Sequence, residues 1–297
     1  MSAFGYFGSK LRIAAKLRDE LPPHNAWVEL FCGSAAMTLA KDPAKIEVIN
    51  DINKDIVNFY RQLRNNGTRL RRLISLTPYA REELENARFS NGKKISKMER
   101  ARRFFVSAMM AINGSFGDAP GGFSVSNSYA RNKVEARVNR WNEMHKYLSD
   151  VTARLAMVRV ERKDALDLLE DFKNRPATLM YLDPPYLGDR IPGYDHDENG
   201  KEFHEKLLKE VVKVKCMIFI SGYDRALYRK YLNKENGWTR QVIRAHTKGN
   251  NGKPFERKEI IWFNAAYKKA KRLNRVPIRL TKKEKKDGKI NPIRQPR

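Results

Sequence analysis

Short runs of consecutive apolar residues recur along the chain, separated by longer segments of helical periodicity. Seven runs are rich in β-branched and aromatic residues: Trp27–Phe31, Ile46–Asn50, Met157–Arg162, Ala177–Leu182, Cys216–Ser221, Gln241–Ala245 and Glu259–Asn264. Apolar residues on consecutive positions are typical of strands buried on both faces of a parallel sheet. A turn-rich loop joins the last two runs and predicts an antiparallel hairpin. The pattern predicts an α/β fold: a doubly wound, mostly parallel seven-stranded sheet with a C-terminal antiparallel hairpin.

Helical periodicity predicts the segments that connect these strands. The predicted helices include Ala35–Ala40, Lys54–Leu63, Lys97–Ala111 and Phe203–Val212. The gap between the second and third strands is too long for one crossover helix, so we predict an inserted, mostly helical subdomain there. The resulting division is one domain over residues 1–56 and 150–267, an insertion over 57–149, and a flexible basic tail over 268–297.

The positive charge of the chain is unevenly distributed. The 297 residues include 60 Lys plus Arg and 34 Asp plus Glu, a net charge of +26. Residues 1–56 are neutral, with 7 basic and 7 acidic side chains, whereas residues 57–149 have 18 and 7, and residues 268–297 have 13 and 2. Clusters of this kind favour a polyanion such as a nucleic acid, because each neutralised phosphate releases a counterion. General solubility and attraction to an anionic membrane surface are the alternatives.

Composition excludes several other classes of protein. A hydrophobic fraction of 41% supports a globular core, and no apolar run approaches the roughly 18 residues of a membrane span. The N-terminus lacks the layout of a secretory signal, so we expect a cytoplasmic protein. Cys32 and Cys216 form no C-x-x-C pair, which argues against a disulfide framework or a zinc site. We expect no metal cofactor and no membrane partner.

A four-residue motif follows the fourth predicted strand and reads Asp183-Pro184-Pro185-Tyr186. Two prolines stiffen the backbone, so the Asp183 carboxylate and the Pro184 carbonyl can both accept hydrogen bonds from one amino group. Tyr186 offers an aromatic face on which a planar base can stack. A chain-terminating turn is the alternative interpretation.

Three further positions lie at the predicted carboxyl ends of strands, where open α/β sheets bind ligands. Gly33 follows Phe31 at a strand-to-helix turn, where a glycine allows close approach of the backbone to a ligand. Asp51 ends the second strand and is well placed to bind ribose hydroxyls. Asp164 ends the third strand and is a candidate acceptor for an adenine amino group. The alternative interpretation of each aspartate is that it caps the helix that follows. The alternative for Gly33 is that only the turn requires a glycine.

Together these features resemble the Dam-type (D12 class) DNA adenine-N6 methyltransferases, which have the class I S-adenosylmethionine-dependent fold. The resemblance covers most of residues 4–264 and includes the Tyr6-Phe7-Gly8-Ser9-Lys10 element as well as the motifs above. It implies that the cofactor is S-adenosyl-L-methionine, that residues 1–56 and 150–267 form the catalytic domain that binds it, and that the insertion over 57–149 recognises the DNA target. The cofactor-binding residues that it implies are Tyr6, Gly8, Lys10, Phe31, Gly33, Asp51, Asp164 and Asp183. The catalytic residues are Asp183, Pro184, Pro185 and Tyr186.

The resemblance also implies that the protein binds DNA. The Asn113-Gly114 loop and the segment 122–125 look like the recognition segment of the family, but the arginine often found shortly after Asn-Gly is absent. Weak or altered sequence specificity is therefore expected. Ala35 stands where a second glycine is common, and Tyr6 where tryptophan is usual. The candidate DNA-contacting residues are Arg100, Arg102, Arg103, Asn113, Ser115, Phe116, Arg131, Lys133 and Arg137.

The expected reaction is transfer of the sulfonium methyl group to N6 of an adenine that is flipped out of the duplex. Hydrogen bonds to Asp183 and Pro184 would orient the nitrogen lone pair and stabilise developing positive charge. DNA cytosine-N4 methylation, RNA methylation and a non-catalytic DNA-binding relative remain as alternatives. The tail is expected to add phosphate contacts, with solvated disorder as the alternative.

Overall fold

A computed structural model describes residues 3–4, 10–88, 94–112, 121–126, 128, 133–185, 200–248 and 254–277. For residues 11–13, 244–248 and 254–258 the description covers the backbone alone. Several predicted positions lie outside the described residues: Tyr6, Gly8, Asn113, Ser115, Phe116, Arg131, Tyr186 and the tail from residue 278 onward.

One sheet organises the molecule. Its strands are β1 (Ala26–Glu29), β2 (Ile46–Asn50), β3 (Arg159–Glu161), β4 (Thr178–Leu182), β5 (Met217–Gly222), β6 (Thr239–Lys248) and β7 (Pro254–Phe263). They lie in the order β3-β2-β1-β4-β5-β7-β6. The first five are parallel, and β7 is antiparallel to both β5 and β6. The predicted mostly parallel seven-stranded sheet with a C-terminal antiparallel hairpin is confirmed.

Helices cover both faces of the sheet. They are α1 (Leu11–Leu17), α2 (Ala36–Ala40), α3 (Lys54–Ser75), α4 (Arg81–Arg88), α5 (Lys97–Met110), α6 (Ala136–Leu155), α7 (Ala165–Phe172), α8 (Lys201–Val211), α9 (Ala226–Tyr231) and α10 (Ala265–Leu273). One face packs against α1, α2 and α10, and the other against α7, α8 and α9. Because alternate residues of each strand point to opposite faces, both faces bury apolar side chains, as in Trp27 and Val28 of β1.

The helices between β2 and β3 form a third core that continues onto the sheet. Residues of α3, α5 and α6 pack together there with Ile49 of β2 and Val160 of β3. The predicted domain boundaries after residues 56 and 149 fall inside α3 and α6, and the kink of α3 lies at Asn66 rather than at the first boundary. The proposed division into domains stays a prediction.

Arg154, near the end of α6, ties these helices to the sheet through a buried ion network. Its guanidinium donates to both carboxylate oxygens of Glu47, at 2.5 and 2.8 Å, and to the Thr38 carbonyl at 3.0 Å. The Lys41 ammonium donates to the same Glu47 carboxylate at 2.6 Å. The Glu47 side chain is fully buried, and its charge is compensated by these two cations and by the Ala44 N–H, which donates to Oε1 at 3.1 Å.

The tail begins as a helix, contrary to prediction. Residues 268–273 belong to α10, and the expectation of flexible chain is wrong for them, because Tyr267 and Ala270 are buried against the sheet. Few apolar residues mark this helix, which explains why composition alone indicated disorder. Asn264, directly after β7, caps this helix and lies beside the start of β5, at the opposite end of the strands from Asp183.

Replacing Asn264 by alanine should destabilise the fold by about 2–3 kcal/mol. Its side-chain oxygen accepts from the backbone N–H groups of Tyr267 (2.9 Å) and Ile218 (3.1 Å), and its amide donates to the Cys216 carbonyl (2.9 Å). All three groups would be left buried without this partner. Urea denaturation checks the result. Ser96→Ala, which removes one exposed cap of α5, should cost about 1 kcal/mol; equal losses in the two variants would contradict the prediction.

Candidate active site

Four predicted residues lie beyond the carboxyl ends of adjacent parallel strands. Gly33 follows β1, Asp51 follows β2, Asp164 follows β3 and Asp183 follows β4. Because these strands are neighbours in the sheet, their ends lie along one edge. The sheet reverses its winding direction between β1 and β4, which is the position where open α/β folds bind ligands.

The turn after β1 is held to the end of β2. Gly33 has φ +44°, a left-handed conformation that favours glycine, and its N–H donates to Asp51 Oδ2 at 2.9 Å. Asp51 Oδ1 accepts from the N–H of Asn53 at 2.9 Å, and the Tyr60 hydroxyl donates to the Gly33 carbonyl at 2.8 Å. The helix cap at this position is Asn53 rather than Asp51. Ala35, at the position where a second glycine is common in the family that the sequence resembles, also adopts a left-handed conformation, with φ +50°.

Phe31 and Asp164 flank this turn. The Phe31 ring is half-buried and makes an edge-to-face contact with Phe203 of α8, with 6.2 Å between ring centroids. Asp164 is exposed and caps α7 by accepting from the N–H of Leu166 at 2.7 Å. Its capping role, one of the two sequence interpretations, is therefore present in the structure, and a ligand contact by Asp164 stays a prediction.

Asp183 lies in a chain of hydrogen-bonding groups on β4 and β5. Ser221 Oγ donates to Asp183 Oδ1 at 2.7 Å. Because the single proton of Ser221 is used in that bond, the Tyr181 hydroxyl is the donor in its 2.9 Å bond to Ser221 Oγ. The Lys10 ammonium lies 3.4 Å from the same Oδ1 and donates to Glu259 on β7.

The protonation of these groups reflects their burial. Burial is the largest influence on Asp183 and raises the pKa of its carboxyl to about 6; Lys10 opposes this rise and Glu259 adds to it. Burial alone would lower the pKa of Lys10, but its two carboxylate partners outweigh that and raise it above the ordinary value. Glu29, at the end of β1, is fully buried, and its pKa is raised to about 8 although Thr38 donates to it. At pH 7 the site therefore contains a charged Asp183 and a largely neutral Glu29.

A buried histidine lies behind the Pro-Pro segment. His204 of α8 is fully buried, and its Nδ1 is 2.8 Å from the Tyr228 hydroxyl. Burial lowers the pKa of His204 to about 4, partly offset by the Pro185 backbone. A neutral ring therefore lies beside the Pro185 backbone, two residues after Asp183 in the chain.

Several predicted DNA contacts already have protein partners. Arg102, whose side chain is 14% exposed, donates to Glu83 and Glu99, Arg103 also donates to Glu99, and Arg100 pairs with Asp55. These contacts give Arg102 a structural role in joining α4 to α5. Lys133 and Arg137 are exposed.

The described part of the recognition segment packs against the end of α5. Ile112 N–H donates to the Gly122 carbonyl at 2.9 Å, and Ser124 N–H donates to the Met110 carbonyl at 2.8 Å. The Phe123 ring contacts Tyr79 with 5.0 Å between centroids, while Val125 is 65% exposed. The segment is thus anchored on one side and presents an apolar side chain on the other.

Sequence reasoning missed Ser221, Glu259, Tyr181 and His204. Ser221 ends the strand next to β4, so its place at the site follows from strand order, which the pattern alone did not establish. Within the described ranges, no three His, Cys, Asp or Glu side chains come together as a cation site. No helix among the described residues is long and apolar enough to cross a membrane.

The amino-acid sequence of the chain is similar to a known protein family and to a curated protein. Residues 6–245 match the model of the D12 class N6 adenine-specific DNA methyltransferases. The chain is 27% identical over 192 residues to the Type II methyltransferase M1.LlaDCHI of Lactococcus lactis subsp. cremoris, and the match spans 61% of this chain and 63% of that one.

Two solved structures are loosely similar to the chain. An S-adenosylmethionine-dependent methyltransferase from Agrobacterium tumefaciens has 10% identity and a TM-score of 0.38, covering 88% of this chain and 63% of that one. An rRNA methylase from Streptococcus thermophilus has 10% identity and a TM-score of 0.35, covering 86% and 97%. The family match itself extends over most of the chain, from the N-terminal element to β6, and includes Asp183. The chain belongs to the D12 class N6 adenine-specific DNA methyltransferase family.

Proposed function

We propose that the protein transfers a methyl group from S-adenosyl-L-methionine to N6 of an adenine that is flipped out of double-stranded DNA. The observation that carries this proposal is the arrangement of Asp183. In the described part of the chain its contacts are made through Oδ1, with Ser221 and Lys10, which leaves Oδ2 to accept from a substrate. The Pro184 carbonyl follows directly, so two acceptors serve one amino group.

These acceptors address the chemical difficulty of the reaction. The lone pair of an exocyclic amino group is delocalised into the base, which makes the nitrogen a poor nucleophile. Hydrogen bonds from its two protons to Asp183 Oδ2 and the Pro184 carbonyl would turn the lone pair out of the ring plane. The carboxylate would also stabilise the positive charge that develops on nitrogen. We assign Tyr186 to stacking against the extruded base.

The edge of the sheet next to Asp183 fits the cofactor. The Asp51 carboxylate lies at the end of β2 and accepts from the backbone N–H groups of Gly33 and Asn53, both at 2.9 Å, and a carboxylate at this position can also accept from ribose hydroxyls. The left-handed turn at Gly33 removes side-chain bulk, and Phe31 offers an apolar surface. When bound, the cofactor supplies an electrophilic methyl group on a sulfonium sulfur. We assign its binding to Lys10, Phe31, Gly33, Asp51 and Asp164, together with the N-terminal Tyr6 and Gly8.

A nucleoside digest tests the proposed reaction directly. Duplex DNA treated with protein and radiolabelled cofactor is digested and separated, and we expect the label in N6-methyladenine. Label in N4-methylcytosine, or in RNA treated in parallel but not in DNA, would overturn the proposal. Calorimetric cofactor binding without transfer to either nucleic acid would instead indicate a non-catalytic relative.

The pH dependence of turnover should follow Asp183. Its carboxyl must be ionised to accept from the amino group, and its pKa is about 6. Activity is therefore full above this pH and should fall about tenfold per unit as the pH drops below it. Single-turnover rates at saturating DNA and cofactor, measured between pH 5 and pH 8, check this. A rate that stays level down to pH 5 would contradict the role of Asp183.

Phosphate contacts should come from exposed cations of the insertion. Arg137→Ala should weaken DNA binding for all sequences and reduce the slope of log affinity against log salt by about one. Arg102→Ala is the matched control, because Arg102 is engaged with Glu83 and Glu99 and its loss should lower stability rather than the salt slope. Filter binding at several salt concentrations measures both. Equal salt slopes for Arg137→Ala and the unaltered protein would refute the assignment.

A further inference from the structure

A buried carboxylate on the last strand reaches the site from far along the chain. Glu259 of β7 has a side chain that is 11% exposed, and its two oxygens lie 3.0 and 3.1 Å from the Lys10 ammonium. The same ammonium lies 3.4 Å from Asp183 Oδ1. Lys10 is therefore shared between two carboxylates and is closer to Glu259. The family match ends at residue 245, so Glu259 lies beyond it.

This sharing has an electrostatic consequence for Asp183. An ammonium paired with Asp183 alone would keep the carboxylate ionised but would also weaken it as an acceptor and repel positive charge developing on the target nitrogen. Without the ammonium, burial would favour the protonated acid, which has lost the charge that stabilises the nitrogen. A second carboxylate on Lys10 avoids both outcomes.

We propose that Glu259 is a positioning residue that holds the Lys10 ammonium partly away from Asp183, so that Asp183 remains an effective acceptor while Lys10 still favours its ionised form. The inference rests on the proposed function, in which Asp183 accepts from the target amino group. Glu259 itself touches neither substrate nor cofactor in this arrangement; it acts through Lys10.

Other groups also face Asp183 from the elements packed around it. They are Lys10 before α1, Glu29 on β1, Tyr181 on β4, Ser221 on β5, Tyr228 on α9 and Glu259 on β7. Of the acidic groups, Tyr181 and Tyr228 are neutral near pH 7 because burial raises the pKa of each hydroxyl, and Glu29 is largely neutral. Of these acidic neighbours, Glu259 is therefore the one whose replacement most changes the charge around Asp183.

The decisive variant is Glu259→Gln, which keeps the shape of the side chain and removes its charge. The titration of Asp183 is followed by carbon NMR of the full chain labelled at aspartate carboxyls, with Asp183→Asn assigning the signal. Losing a negative neighbour and releasing Lys10 toward Asp183 both favour the ionised carboxylate. The titration midpoint should therefore fall by about one pH unit. An unchanged midpoint would overturn the proposal.

Turnover gives an independent measurement. In Glu259→Gln the acid side of the single-turnover pH profile should move to lower pH by the same amount, and the plateau rate should fall several-fold because Lys10 then opposes the developing charge. Glu210→Gln removes a carboxylate that is paired with Lys213 on the surface, and it should change neither quantity. A lower plateau without any displacement of the profile would mean that Glu259 is merely structural, and the proposal would fail.

Failure of the proposed function would be distinguishable from failure of this inference. If the unaltered protein transfers no methyl group to DNA, the proposed function fails, while the NMR titration still decides whether Glu259 controls Asp183. If circular dichroism shows that Glu259→Gln does not fold, Lys10→Met is titrated instead. Loss of the shared cation must then raise the Asp183 midpoint, and a midpoint that stays or falls would overturn the proposal.

Discussion

Replacing Asp183 by asparagine is expected to lower the single-turnover rate of methyl transfer by about two to three orders of magnitude. Asparagine retains the size of the side chain and one acceptor oxygen, but it lacks the negative charge that would stabilise the developing positive charge on the amino nitrogen. Its amide group would also place a donor where the target amino group needs an acceptor. Transfer of radiolabelled methyl groups to duplex DNA measures the effect.

The lower rate of Asp183→Asn should result from the loss of the carboxylate charge and not from a change in the fold. Lys10 keeps Glu259 as a partner in the variant, so no buried cation is left alone. Circular dichroism should show an unchanged fold. Asp171→Asn serves as the matched control, because Asp171 of α7 forms an exposed ion pair with Lys163, which precedes this helix. A rate for Asp183→Asn within threefold of the control would remove Asp183 from the catalytic group.

Replacing Glu47 by glutamine should destabilise the protein by about 3–5 kcal/mol. Glu47 neutralises Lys41 and Arg154 in a fully buried position, and glutamine would leave two cations facing an uncharged amide. The pKa of Glu47 is lowered by Arg154 and Lys41 in spite of its burial, which shows that the folded state favours the charged form. Urea denaturation followed by tryptophan fluorescence measures the change in the free energy of unfolding.

An exposed pair provides the comparison. Glu161→Gln breaks a contact with Arg159, whose side chain is 55% exposed, and it should cost less than about 1 kcal/mol. Because Arg154 belongs to α6 and Glu47 to β2, Glu47→Gln should also loosen the attachment of the inserted helices to the sheet. Similar losses for Glu47→Gln and Glu161→Gln would show that the buried network adds little stability.

The strands could be predicted from sequence because a strand buried on both faces of a sheet has apolar residues at consecutive positions. Ile46–Asn50 coincides with β2, and the run over 177–182 differs from β4 by one residue. Asp183 could also be predicted as a site residue, because Asp183 and the Pro-Pro pair that follows it come directly after a predicted strand. Information of this kind lies within a few neighbouring residues, so it requires no knowledge of the tertiary fold.

The partners of these residues could not be predicted in the same way. The contact between Lys10 and Glu259 depends on the register of β7 against β5, which places Ile260 opposite Gly222. No local pattern encodes that register. Arg102 is a different case, because its spacing from Glu99 already allowed an ion pair within one helix, whereas the net charge of the segment indicated phosphate contacts. A DNA contact by Arg102 stays a prediction.

The Lys10–Glu259 pair also has a consequence for synthesis on the ribosome. Its two members are separated by 249 positions, and chains emerge from the N-terminus. A nascent chain that has not yet released β7 lacks the carboxylate that shares Lys10 with Asp183. The parallel core can assemble earlier, but the charge balance around Asp183 is completed only after β7 has emerged.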